Sequence, residues 1–201
     1  MTEAKFEGMD ARHERAVFDF LEKLMFEILL RTDGRTTDIL ETILDDKMTV
    51  RVLSQEQIEA GDFEESGEIS GAPYYRRESI LISEKSNFVV SHNIALVCSK
   101  YVPAPLFEAL TARQEGIGKA ISRLGLQTSR RLADSGWRSG AEPTGLFQKP
   151  FKPYFSPVNA HSPYKKYCIY FDTVPGIHMI EYFNPQMIRH RLNRFMNEQH
   201  G

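Results

Sequence analysis

Three positions in this chain put a charged or titratable side chain where a strand would carry it onto an apolar surface: one of the pair Arg76-Arg77, His92 and Glu181. The stretch Tyr74–Val97 reads as two strands joined by the polar turn Glu84-Lys85-Ser86-Asn87, since both arms alternate with period two and are rich in β-branched residues. Successive side chains point to opposite faces, so the two arginines part company. Arg77 shares its face with Tyr75, Ser79 and Leu81, and Arg76 with Glu78, Ile80 and Ile82. An arginine directed into a pocket grips a carboxylate with two parallel hydrogen bonds. The same residue at a sheet edge is a solvated or ion-paired structural group. His92 lies among Val90, Ile94 and Leu96, either as a satisfied core imidazole or as part of a pocket. Glu181 shares its face with Ile177, Met179 and Phe183. A carboxylate there must be paired or protonated. It is either the partner of a buried arginine or a group with a raised pKa suited to general acid catalysis.

The elements that position these residues follow from periodicity. Val17, Phe18, Leu21, Leu24, Met25, Ile28 and Leu29 recur at helical spacing and predict an amphipathic helix over 11–31, with Gly34 after it as a stop signal. Thr36 or Thr37 caps a short second helix ending near Asp45-Asp46, and Lys47–Ser54 alternates as a strand. Residues 55–73 read as a polar loop or short helix. Pro105 starts a short helix, Leu106–Ala112. Gln114–Gly118 forms a glycine-bearing turn, Lys119–Leu124 a helix and Leu126–Leu132 a strand. Tyr164–Asp172 and Ile177–Phe183 form a hairpin about a turn at Thr173-Val174-Pro175-Gly176. Asn184-Pro185 then opens a basic helix, Gln186–Asn197. Between them, 135–163 holds five prolines, three glycines and five aromatics. A loop of this length covers the core, closes over a site or meets another subunit.

Composition narrows the class. With 201 residues, 41% hydrophobic and 26% charged, the chain fits one ordinary globular domain. A net charge of -2 opposes generic binding to nucleic acid or to an anionic membrane. Cys98 and Cys168 lie in apolar runs without ligand-spaced partners, which predicts core thiols and no zinc. The polar N-terminus does not resemble a signal peptide, and no apolar run approaches the ~18–20 residues of a membrane span. The expected location is the cytoplasm. No glycine-rich phosphate loop or Ser-His-Asp elbow is present. What remains is a site for a small anionic molecule, with no cofactor implied.

Three blocks resemble the chorismate pyruvate-lyases, which make 4-hydroxybenzoate: Leu29–Thr37, Tyr74–Leu81 with its aromatic–x–Arg–Glu pattern, and Ile177–Phe183 with its Glu–x–Phe ending. Gly116-Ile117-Gly118 is similar to the family's turn closing over the ligand. The resemblance spans residues 15–185 and implies an α+β fold, an antiparallel sheet of about six strands with helices covering a buried pocket. It implies one chorismate lyase-like domain over 1–201, frayed at 1–10 and with 138–163 inserted. Carried over, Arg77 binds the ring carboxylate, Glu181 contacts the hydroxyl or ether end and the backbone around Ile117 and Gly118 adds a hydrogen bond. Arg35, Thr36 and His92 complete the candidate substrate contacts, Arg35 and His92 toward a second carboxylate. The implied reaction releases pyruvate from chorismate without a cofactor, with Arg77 and Glu181 as the catalytic pair and a monomer or homodimer as the working unit. The alternatives are a related lyase on another cyclic acid, or a non-catalytic domain that senses an aromatic acid.

Overall fold

The computed structural model describes residues 11–32, 36–58, 74–113, 115–139, 151–155 and 161–199. Two antiparallel meanders make the sheet. The first is β1 (Met48–Ile58), β2 (Tyr74–Ser83) and β3 (Val89–Cys98), and the second is β4 (Ser129–Ser139), β5 (His161–Phe171) and β6 (Val174–Phe183). They join where β3 pairs with β6, giving the order β1-β2-β3-β6-β5-β4 with every pair antiparallel. This is the expected α+β architecture of six antiparallel strands with helices.

One face of the sheet is covered in two places. Helices α3 (Ala104–Thr111) and α4 (Ile117–Arg123) pack Leu106, Leu110, Ile117, Ala120 and Ile121 against Ala95, Val97, Ile169, Ile177 and Met179. At the other end, α1 (Ala11–Arg31), α2 (Thr36–Leu44) and α5 (Met187–Gln199) gather Phe26, Leu29, Leu40, Leu44 and Met187 around Leu81 and Phe183. A gap stays open between the two helix groups. The opposite face carries Tyr74, Ile94, Leu96, Tyr164, Ile180 and Tyr182 beneath Phe151 and Phe155.

Local chemistry explains the boundaries and several departures from expectation. Asn184 follows β6 and accepts from the Gln186 N–H through Oδ1 at 2.9 Å, the expected cap before α5. The β5–β6 turn is Asp172-Thr173, with Asp172 at φ 54, one step before the expected Thr173–Gly176 turn. Gly176 lies inside β6 instead. A Cβ there would come within 2.6 Å of the Phe171 ring, so glycine serves a close approach rather than a turn. Residues 135–139 belong to β4 and not to the long loop, because they pair with β5 from Lys165 to His161. In α1 the spacing is helical as expected, but the buried side chains are Phe26, Leu29 and Leu30, while Val17, Leu21, Leu24 and Ile28 are exposed. Among the described side chains of α1, those buried in the core lie in its last turns. No helix among the described residues is long and apolar enough to cross a membrane.

Candidate functional site

The gap between the helix groups is a cavity of about 510 Å³. Its floor is the sheet face carrying Arg77, Ser79, Leu81, Asn93, Met179 and Glu181, and its rim comes from α2, β1 and the start of α4.

Arg77 is placed by the parity of β2 and is only 2% exposed. Its Nη1 donates to Gln55 Oε1 at 2.9 Å and to the Leu110 carbonyl at 2.6 Å, and its Nη2 donates to the Glu115 carbonyl at 2.5 Å. All three acceptors are neutral. Burial, and then the positive charge of Arg113, lower its pKa to about 10, so the guanidinium is charged at neutral pH. A guanidinium has five N–H groups, and three are used. The Nε–H and the second Nη2–H have no protein acceptor among the described residues. The nitrogens that carry them, Nε and Nη2, border one edge of the planar group, an edge that can receive a carboxylate.

The next row along the floor is polar across four strands. Ser79 on β2 is opposite Asn93 on β3, Asn93 is opposite Glu181 on β6, and Glu181 is opposite Lys165 on β5. Lys165 is 2% exposed and Glu181 8%. Lys165 Nζ stands 3.7 Å from Glu181 Oε2 and donates to Thr36 Oγ1 at 2.7 Å. It also reaches the Leu29 and Thr32 carbonyls at 3.4 and 3.5 Å, at the C-terminal end of α1. Thr36 Oγ1 in turn lies 3.5 Å from Glu181 Oε2. The counter-charge of Glu181 is therefore Lys165, and the expected alternative of an Arg77 partner is not what the sheet assembles. Tyr167 sits beside this group, and burial, followed by the Glu181 charge, pushes its phenol pKa well up.

The structure brings Arg77, Glu181, Thr36, Ile117 and Gly118 together around one cavity. Ile117 and Gly118 open α4, and the chain can pass there because Gly116 lies so close to β1 that a Cβ would meet Val50 Cγ2 at 2.9 Å. His92 is not among them. It faces the other side of the sheet, where Nε2 contacts Glu78 Oε1 at 2.9 Å and Nδ1 accepts from the Tyr154 N–H at 3.0 Å. Its position is that of the satisfied imidazole, and the second-carboxylate contact has no geometric basis. Arg76 shares that face and pairs with Glu56 and Glu78 at 3.4 and 3.0 Å. Arg35 lies outside the described residues. Residues 151–155 of the 138–163 segment also belong to the far face, where Phe151 stacks on Tyr182 at 4.9 Å and lies tilted against the His92 ring at 4.6 Å. There they cover the core and do not close over the cavity.

Sequence reasoning missed Lys165, Ser79 and Asn93 as site residues, together with Arg130, which lines the cavity beside Gly118. The signal for the lysine was available. Lys165-Lys166 repeats the Arg76-Arg77 pattern, and in a two-faced strand one member of such a pair must point inward. Among the described residues, no group of three or more His, Cys, Asp or Glu is arranged to hold a metal ion.

No family model and no curated protein sequence matches the chain. Solved structures that superpose on it include the effector domain of PhnF from Mycobacterium smegmatis, at 13% identity over 76% of this chain and 90% of that chain, with a TM-score of 0.46. The longer PhnF structure superposes at 12% identity over 77% of this chain and 65% of that chain, with a TM-score of 0.47. A gene product from Staphylococcus aureus, SA0254, superposes at 14% identity over 68% of this chain and 82% of that chain, with a TM-score of 0.39. These are distant likenesses in fold, and no residue role passes from them to this chain.

Proposed function

We propose that this domain is a receptor for a small carboxylate-bearing molecule, held by Arg77 in the cavity between the two helix groups. One observation carries the reading: the buried Arg77 guanidinium is fixed by three neutral acceptors and keeps donors at Nε and Nη2 without a protein acceptor among the described residues. A fixed, desolvated arginine with an open edge is prepared for a carboxylate before the ligand arrives.

The sensor-type alternative is favoured here over a chorismate pyruvate-lyase. The lyase reading asks Glu181 to deliver a proton to the departing enolpyruvyl oxygen. Its neighbour is the Lys165 ammonium, 3.7 Å away and almost fully buried. That pairing suits a carboxylate acting as a hydrogen-bond acceptor better than an acid.

Calorimetric titration with benzoate and 4-hydroxybenzoate tests binding, and incubation with chorismate while pyruvate release is followed tests turnover. Saturable binding that is lost in Arg77→Ala, with no pyruvate formed, is the expected result. Pyruvate release abolished by Glu181→Gln restores the lyase. Equal binding by the native protein and Arg77→Ala rejects the carboxylate role.

A further inference from the structure

We infer that the ligand is a polyhydroxylated carboxylic acid, and that Ser79 and Asn93 are the residues that select it; the inference rests on the carboxylate role of Arg77 and adds a second recognition locus to it.

Ser79 and Asn93 are cross-strand partners in the cavity floor, one strand step beyond Arg77 and immediately before Glu181. Neither side chain makes a hydrogen bond to the protein among the described residues, and Asn93 Oδ1 is buried without a partner. Buried polar groups in folded proteins are nearly always satisfied. An adjacent hydroxyl and amide, both left open in a cavity floor, therefore look to the cavity's contents for their partners.

The chemistry of the row states what those contents are. Asn93 offers two donors and an acceptor, Ser79 offers a donor and two acceptors, and Glu181 only accepts. A second anionic group would be repelled by Glu181. An ammonium would satisfy Glu181 and leave the donors of Asn93 and Ser79 unused. Hydroxyl groups both donate and accept, so a set of them on neighbouring carbons satisfies the whole row. The three side chains are spaced by the strand separation, about 4.8 Å, so the contact calls for more than one hydroxyl. The hydrocarbon walls fit the same ligand, because Val50, Leu81, Ile117, Ile169 and Met179 are aliphatic and Tyr167 is the aromatic residue in the lining.

The test is calorimetric titration of the whole chain with three probes. Shikimate and quinate are polyhydroxylated cyclic acids, and cyclohexanecarboxylate is their deoxy counterpart. At least one hydroxylated acid should bind about tenfold or more tightly than the deoxy acid, since a site built to hydrogen-bond hydroxyls discriminates against their absence. Ser79→Ala and Asn93→Leu should each remove most of that preference and leave cyclohexanecarboxylate within about twofold of its native affinity. Asn93→Asp keeps the volume, drops the amide donor and serves if the leucine variant does not fold; it too should lose the preference. Equal binding of hydroxylated and deoxy acids, or a preference that survives both substitutions, overturns the inference. If cyclohexanecarboxylate binds through Arg77 and hydroxyls add nothing, only this inference fails. If carboxylate binding is absent or indifferent to Arg77→Ala, the receptor reading fails and takes the inference with it.

Discussion

Lys165 and Glu181 face each other across β5 and β6, and their charged ends stand 3.7 Å apart. The lysine also reaches Thr36 Oγ1 and two carbonyls at the end of α1, so one ammonium ties the floor of the cavity to the segment that leads from α1 into α2. Glu181, Thr36 and the Leu29 and Thr32 carbonyls, all gathered on one buried lysine, make the site depend on that charge.

Replacing Lys165 with methionine should cost about 3–5 kcal/mol of stability, the usual consequence of leaving one partner of a buried pair without its counter-charge. Adding Glu181→Leu to Lys165→Met should recover part of the loss, because the orphaned charge is then gone. Urea unfolding of the two single variants and the double variant measures the coupling. A double variant that merely sums the two single losses means the pair is not coupled.

Arg77→Ala should weaken binding of a carboxylate ligand by on the order of 2–5 kcal/mol, as truncation of a desolvated charge partner does. Arg77→Lys should recover little of that, since an ammonium has no two-donor edge. Both variants should also lose stability, because the Leu110 and Glu115 carbonyls give up their donor. Arg76→Ala should bind normally, since Arg76 pairs with Glu56 and Glu78 on the far face. Reversed results for the two arginines would overturn the assignment of faces.

Much of this was legible from two-residue periodicity. The β2–β3 hairpin and the parting of Arg76 and Arg77 to opposite faces follow from alternation alone, while the choice of Arg77 as the inward one came from the resemblance. The placement of His92 follows from the β2–β3 register, in which Arg77 is opposite Ala95 and Ile80 opposite His92, so His92 shares its face with Ile94 and Leu96. The resemblance drew it toward the pocket, while parity on paired strands places Arg77 and His92 apart. The Ser79–Asn93–Glu181–Lys165 row was not legible. It requires knowing that β3 pairs with β6, a contact between distant segments that no local pattern encodes. The role of Gly176 was hidden for a similar reason, because the Phe171 ring that crowds it comes from the neighbouring strand.

Gly176→Ala should destabilise the protein by about 1–3 kcal/mol, the range for forcing an extra methyl group into packed surroundings. The added Cβ would lie 2.6 Å from Phe171 Cδ2 and 3.1 Å from the Tyr101 carbonyl. A Phe171→Leu background removes the ring and should relieve part of the penalty. Thermal melts of the single and double variants decide it, and an unchanged melting temperature in Gly176→Ala alone removes the close-approach explanation.

His92 should make the covering segment sensitive to acid. Its Nδ1 accepts from the Tyr154 N–H, so the neutral ring carries its proton on Nε2, where Glu78 Oε1 receives it. Protonation places a second hydrogen on Nδ1 and breaks the Tyr154 contact. Burial lowers the pKa of the ring, opposed by Glu78, and the net shift is downward. A lowered folded-state pKa means that the unfolded chain binds the proton first. The stabilising contribution is therefore complete above the unfolded value, about 6.5, and is lost as pH falls from there through the folded value. Hydrogen exchange at Tyr154 should accelerate over that window, ahead of exchange in β2 and β3. His92→Gln should flatten the dependence at Tyr154, since a glutamine amide does not gain a proton there. His178 and His190 are lowered in the same direction and sit elsewhere, so global stability still declines on acidification in this variant. Exchange at Tyr154 that stays constant between neutral pH and pH ~5 would place the titration outside the His92 contact.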